Sequence, residues 1–126
     1  MAQNAVIVPD KGIRSMKNAT GTTIDKGHLV KLDSTEGQIV LAAAATDAFY
    51  GVAMADIPTG TWGDVQVSGV AEVYGTLTLA ARITSDGSGH GADASAGNSV
   101  LGICTKAATT ALGLVDLDAL AARMPG

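Results

Sequence analysis

Few residues in this 126-residue chain combine a reactive side chain with the neighbours that chemistry requires. A metal site needs several His, Cys or carboxylate groups at ligand spacing, whereas His28, His90 and Cys104 stand apart from one another. Cys104 reads as a small buried apolar residue. Nucleophilic hydrolysis needs a base beside the nucleophile, and neither histidine falls in an elbow or triad context. Asp33 and Asp86 occupy equivalent strand ends and read as turn residues. Gly87-Ser88-Gly89-His90-Gly91 is glycine-rich enough to suggest a phosphate cradle, but no Lys-Ser/Thr follows. Residues 92–97 also open no amphipathic helix, so a flexible surface loop is expected. Asn18-Ala19-Thr20 fits a glycosylation acceptor, which carries no weight without a signal peptide. The expectation is a protein with no catalytic residues, no metal site and no cofactor, and not an enzyme.

Composition narrows the remaining classes. The formal net charge is −4, whereas wrapping nucleic acid needs clustered Lys and Arg, so no nucleic-acid partner is expected. The longest apolar run, Ile39 to Ala45, is too short to cross a bilayer, and the first residues lack the basic and apolar regions of a signal peptide. A soluble, cytoplasmically made protein with no membrane partner follows as the expectation. Hydrophobic residues make up 47% of the chain but aromatics only 3%, so the core must be built from small and β-branched side chains. Such a core offers few of the rings that usually line a ligand pocket. A single cysteine leaves no internal disulfide to supply stability.

The elements that must position any functional residue are short strands. Apolar stretches punctuated by Gly, Asp, Ser and Thr predict strands near 29–32, 38–42, 50–53, 64–67, 70–74, 81–85, 100–105 and 112–117. Residues 1–20 differ: Val6-Ile7-Val8 ends at Pro9, and the following segment mixes charge with isolated apolar residues, so 1–20 reads as an N-terminal arm. The tail 118–126 reads as a short helix, with Leu117, Leu120, Ala121 and Met124 at helical spacing before Pro125-Gly126. Between them, 21–117 forms one β-rich domain.

That domain carries a weak internal duplication, 24–67 against 77–117. Leu77, Ile83 and Asp86 stand for Ile24, Val30 and Asp33. Gly102-Ile103-Cys104 stands for Gly51-Val52-Ala53, and Val115 and Leu117 for Val65 and Val67. The predicted fold is all-β: a compact β-sandwich or small barrel of two similar hairpin modules folded against each other.

The run Ile24-Asp25-Lys26-Gly27-His28-Leu29-Val30, then Tyr50-Gly51-Val52-Ala53-Met54-Ala55-Asp56, the Thr59-Gly60 turn, Val65 to Val70 and Val100-Leu101-Gly102-Ile103 carries a resemblance. In order and spacing it resembles the bacteriophage capsid decoration (cement) proteins, small β-rich head-stabilising proteins, over about residues 22–117. The arm and the Asp118–Met124 extension depart from that pattern. The resemblance implies a β-tulip-like fold without catalysis and a place on the outer surface of the virion capsid. It further implies binding to the assembled major capsid protein, often as homotrimers, in a protein made in the host cytoplasm.

On that reading Ile7, Val8, Ile13, Arg14, Met16 and Lys17 of the arm contact the capsid, the apolar residues by strand addition or packing and the cations by meeting acidic groups. Trp62 either anchors an interface or folds back to cap the barrel. The alternative function is a small β-barrel carbohydrate- or cell-surface-binding module of a phage tail or fibre, which predicts that Trp62 and Tyr74 form a shared exposed aromatic platform.

Overall fold

The structure, a computed structural model, describes residues 12–118. Its strands are β1 (Ile13–Asn18), β2 (Leu29–Leu32), β3 (Gln38–Leu41), β4 (Gly51–Ala53), β5 (Trp62–Gln66), β6 (Val70–Leu77), β7 (Arg82–Ser85), β8 (Gly91–Asp93), β9 (Gly102–Lys106) and β10 (Ala108–Asp116). They close into two small barrels in place of the single sandwich or barrel expected from the sequence. The first runs in the order β1-β3-β2-β4-β5 and the second in the order β6-β8-β7-β9-β10. Closure leaves each barrel no free edge, which suits strands too short to pack as open sheets.

The two barrels have one topology. In each, the first strand pairs parallel with the third, β1 with β3 and β6 with β8, while the other pairs are antiparallel. Register agrees residue by residue: Val30 faces Gly51 as Ile83 faces Gly102, and Ala53 faces Val65 as Cys104 faces Val115. The first strand also has its counterpart, since Met16 faces Gly63 as Val73 faces Gly113. The repeated unit therefore includes β1 and β6, which the 24–67 and 77–117 bounds leave out.

Residues 13–18 are thus a barrel strand, and the arm as drawn over 1–20 does not survive as one element. The alternation of Arg14, Met16 and Asn18 with Ile13, Ser15 and Lys17 is a strand period, with Met16 and Asn18 buried on the inner face. Residues 1–11 of the arm, and the predicted tail helix beyond Asp118, lie outside the described residues. Leu117 and Asp118, the last described residues, are helical, and no complete helix element occurs among the described ones.

Each barrel encloses its own apolar core. Met16, Ile24, Val30, Ile39, Ala53, Ile57 and Val65 fill the first. Ala71, Val73, Leu77, Ile83, Cys104 and Val115 belong to the second. Burying a Val, Ile or Leu side chain contributes about 1.5–3 kcal/mol, so many small side chains suffice where rings are scarce. Among the described residues Asn18, Thr84 and Ser85 are the buried polar ones, and Asn18 is the one in the first barrel. Its Nδ2 donates to the Thr22 and Ile57 carbonyls, both at 2.7 Å, and its Oδ1 accepts from the Thr20 amide and hydroxyl, both at 2.8 Å.

The barrels are joined through residues that alternation turns outward. Val30 and Ala53 face the first core, so Leu29 and Val52 point away from it, and with Ala42 they join the second barrel's apolar cluster. Three backbone hydrogen bonds cross the joint: Tyr74 N–H donates to the Gly27 carbonyl at 2.9 Å, Leu29 N–H to the Gly89 carbonyl at 2.7 Å and Ser99 N–H to the Ala45 carbonyl at 2.7 Å. The segment around Gly27 is thereby inserted between β6 and the turn that precedes β8. A Lys26–Glu72 ion pair at 3.0 Å also spans the joint, but both side chains are about half exposed and it adds little.

Candidate functional site

Two surfaces gather the residues that the sequence singled out. The first is the outer face of β1 and β5. Ile13, Ser15 and Lys17 project there beside Gln66, Asp64 and Trp62, their register partners. Trp62 is 60% exposed, and its ring reaches over the turn at Gly37. Because Gly63 and Val65 supply the inward positions of β5, Trp62 faces away from the lumen, and it is not a plug capping the barrel. The other possibility, an exposed interface anchor, is compatible with this placement.

Of the six expected capsid contacts, Ile7 and Val8 lie outside the described residues. Ile13 and Arg14 are exposed and Lys17 is half-buried, whereas Met16 is buried in the first core and unavailable to any partner. The strand period explains this correction: a residue two before Asn18 shares its inward face. Other large apolar side chains also stand in solvent, notably Leu79 (61%), Leu32 (54%) and Val70 (50%).

The second surface lies over the joint. Tyr74 on β6 stacks with His28 (centroids 5.9 Å apart) and meets His90 edge-on (5.1 Å), while His28 and His90 meet at 4.6 Å. His28 comes from the inserted segment of the first barrel and His90 from the turn before β8. That turn is built by Asp86, whose Oδ1 accepts from the Ser88 and His90 amides and whose Oδ2 lies 3.2 Å from His90 Nδ1. The glycine-rich loop expected to be a flexible surface element is therefore pinned at both ends. Its Gly89 is buried, and its carbonyl takes the Leu29 amide.

Trp62 and Tyr74 make no ring contact with each other; Tyr74 is engaged by the two histidines instead, so the shared platform is not formed. Nothing in the sequence joins His28 to His90, because the pairing depends on how the barrels dock. Among the described residues no group of three or more His, Cys, Asp or Glu converges as a metal site. Burial pushes the Cys104 thiol up; a hydrogen bond with the Lys106 backbone opposes this and the Asp93 charge reinforces it.

No family model matches the chain, and no curated protein matches it. Among solved structures, the backbone is similar to the N base of the head fibre protein gp8.5 of bacteriophage phi29. The TM-score is 0.64 at 16% identity, and the match covers 83% of this chain and 93% of that one, so the two share a fold.

Proposed function

We propose that the chain is a head-associated structural protein of a bacteriophage, a non-catalytic decoration protein that binds the outer surface of the assembled major capsid protein shell and stabilises it. The observation that carries this reading is the common fold with a head fibre base, which extends over nearly all of that base. The sequence pattern of small cement proteins points the same way. The proposed contact is the outer face of β1 and β5, where Trp62, Lys17 and Ile13 are presented immediately after the N-terminal segment 1–11. An exposed Trp beside a cation is the side-chain combination that concentrates binding energy at interfaces.

The mechanism is linkage: a protein that binds the closed shell and not the loose subunits adds its binding free energy to the closed state. Homotrimerisation, also proposed, would raise the effective concentration of each contact at a symmetric position of the shell. The test is co-sedimentation with expanded, undecorated capsids, comparing the full chain with a Trp62→Ala variant and a chain lacking residues 1–11. Saturation at a fixed ratio to the capsid protein, weakened in both variants, is the expected result. Failure of the full chain to sediment with the shells would overturn the reading.

A further inference from the structure

The chain has two Tyr, two His, one Trp and one Phe. Three of these six rings, His28, Tyr74 and His90, meet at one place, beside a groove of about 250 Å³ lined by Tyr74, Thr76, Asp86, His90 and Thr110 among others. The first barrel offers nothing comparable. Register places Lys17 where the second barrel has Tyr74, and the corresponding turn has Gln38 where the second has His90. Gly60 stands where the second barrel has Thr110. Thr110 holds a left-handed backbone (φ 49°) that its counterpart meets with glycine (φ 77°). A threonine kept in a conformation that favours glycine, with its side chain in a groove, is strain placed where a hydroxyl is useful.

We propose that this groove binds a pyranose sugar. Its chemistry selects that class by elimination. The Asp86 carboxylate is exposed at the wall, which repels phosphate and other anions. His90 Nδ1 at 3.2 Å and two amide hydrogen bonds already occupy it, which leaves little to attract a free cation. Asp86, His90 and the hydroxyls of Thr76 and Thr110 set polar groups among the apolar walls, and an aliphatic ligand would leave them unpaired. A neutral ring with an apolar C–H face and a rim of hydroxyls fits what remains. Tyr74 supplies the apolar wall. His90 keeps Nδ1 against Asp86 at 3.2 Å, which leaves Nε2 for a ligand hydroxyl, and the threonine hydroxyls can donate or accept, that of Thr76 already accepting from the Thr110 amide. Tyr74 and His90 line the groove from the second barrel, and His28 of the first barrel packs against both rings without lining it, so docking of the barrels braces the aromatic wall. This inference is independent of the capsid reading.

The test is a titration of the full ¹⁵N-labelled chain with the methyl β-glycosides of glucose, galactose and N-acetylglucosamine, followed by backbone amide shifts. Saturable shifts at Gly75, Gly91 and Thr110 are expected with at least one of the three. Thr110→Gly restores the residue type of the equivalent position, so it folds, and it should weaken that binding about tenfold through one lost hydroxyl. Tyr74→Ala should abolish it, and Trp62→Ala should leave it unchanged. No saturable shift with any of the three glycosides, or saturation that survives Tyr74→Ala in a chain whose dispersed spectrum shows it folded, overturns the proposal.

Discussion

Replacing Gly27 with Ala tests how the two barrels are held together. Gly27 adopts φ 84°, and a Cβ built there would lie 2.7 Å from Leu112 Cδ2 and 2.9 Å from the Tyr74 amide nitrogen. The leucine can turn aside, but the amide is backbone within β6 and cannot. The methyl therefore pushes the inserted segment off the second barrel and breaks the hydrogen bonds from Tyr74 to Gly27 and from Leu29 to Gly89. A left-handed alanine costs about 1–2 kcal/mol, and two lost hydrogen bonds at about 1 kcal/mol each bring the sum to roughly 3–4 kcal/mol. Ala80 is the control. It holds the same conformation in the second barrel (φ 68°), and its amide donates to the Cys104 carbonyl as that of Gly27 donates to the Ala53 carbonyl. Ala80→Gly relieves the left-handed strain at some cost in unfolded-chain entropy, for a net gain of about 0.5–1 kcal/mol. Urea unfolding followed by far-ultraviolet circular dichroism reads both variants, and Gly27→Ala should also broaden the transition as the barrels uncouple. A Gly27→Ala loss below about 1 kcal/mol would refute the close approach as the organising contact of the joint.

Asn18→Ala removes one of two donors from each of the Thr22 and Ile57 carbonyls, which keep the Thr20 hydroxyl and the Ile24 amide, and takes the acceptor from the Thr20 amide, so the same urea experiment should show a loss of about 1–3 kcal/mol. Trp62→Ala, by contrast, removes an exposed ring and should leave stability within about 0.5 kcal/mol while weakening the proposed capsid binding. The raised thiol of Cys104 gives a pH dependence whose sign follows from linkage. The folded state holds that proton more tightly than the unfolded one, so the effect is absent below the unfolded thiol's value of about 8.5, and stability falls as pH rises from there toward the folded value. Cys104→Ala should flatten that part of the stability curve, and the wild-type thiol should react with a thiol reagent only on unfolding.

Much of the β architecture was legible because the repeat imposes its apolar residues twice. Val30 and Ile83, Gly51 and Gly102, and Val65 and Val115 line up in sequence and again in strand register. Two strands were not legible, for opposite reasons. In β1 the inward residues are Met16 and Asn18, one of them polar, so the alternation is visible only once the hydrogen bonds of Asn18 are known. In β8, Gly91-Ala92-Asp93 has almost no side chain to bury; its place is set by backbone pairing with β6 and β7. The division into two barrels was equally hidden, since Leu29 and Val52 read as core residues and do not disclose that the core they enter belongs to the other barrel. The ring cluster failed for the same reason, as its members are brought together by that docking alone.

Duplication poses a hazard that the divergence of the two copies answers. A segment of the first barrel inserts into a slot of the second, and if both copies kept both features, the second barrel's segment could enter the first barrel's slot in another molecule and continue without closing. Both halves of that contact are blocked. In the first barrel the slot is shut by its own backbone: the Lys17 amide, equivalent to that of Tyr74, donates to the Gly37 carbonyl at 3.0 Å and has no bond to offer an incoming segment. In the second barrel the segment carries Ala80 where the inserting copy has Gly27, so its methyl would meet backbone at the position where the inserting copy has only hydrogen. The outer face of β1 and β5, with Trp62 exposed, is unaffected by either difference and stays open to a partner.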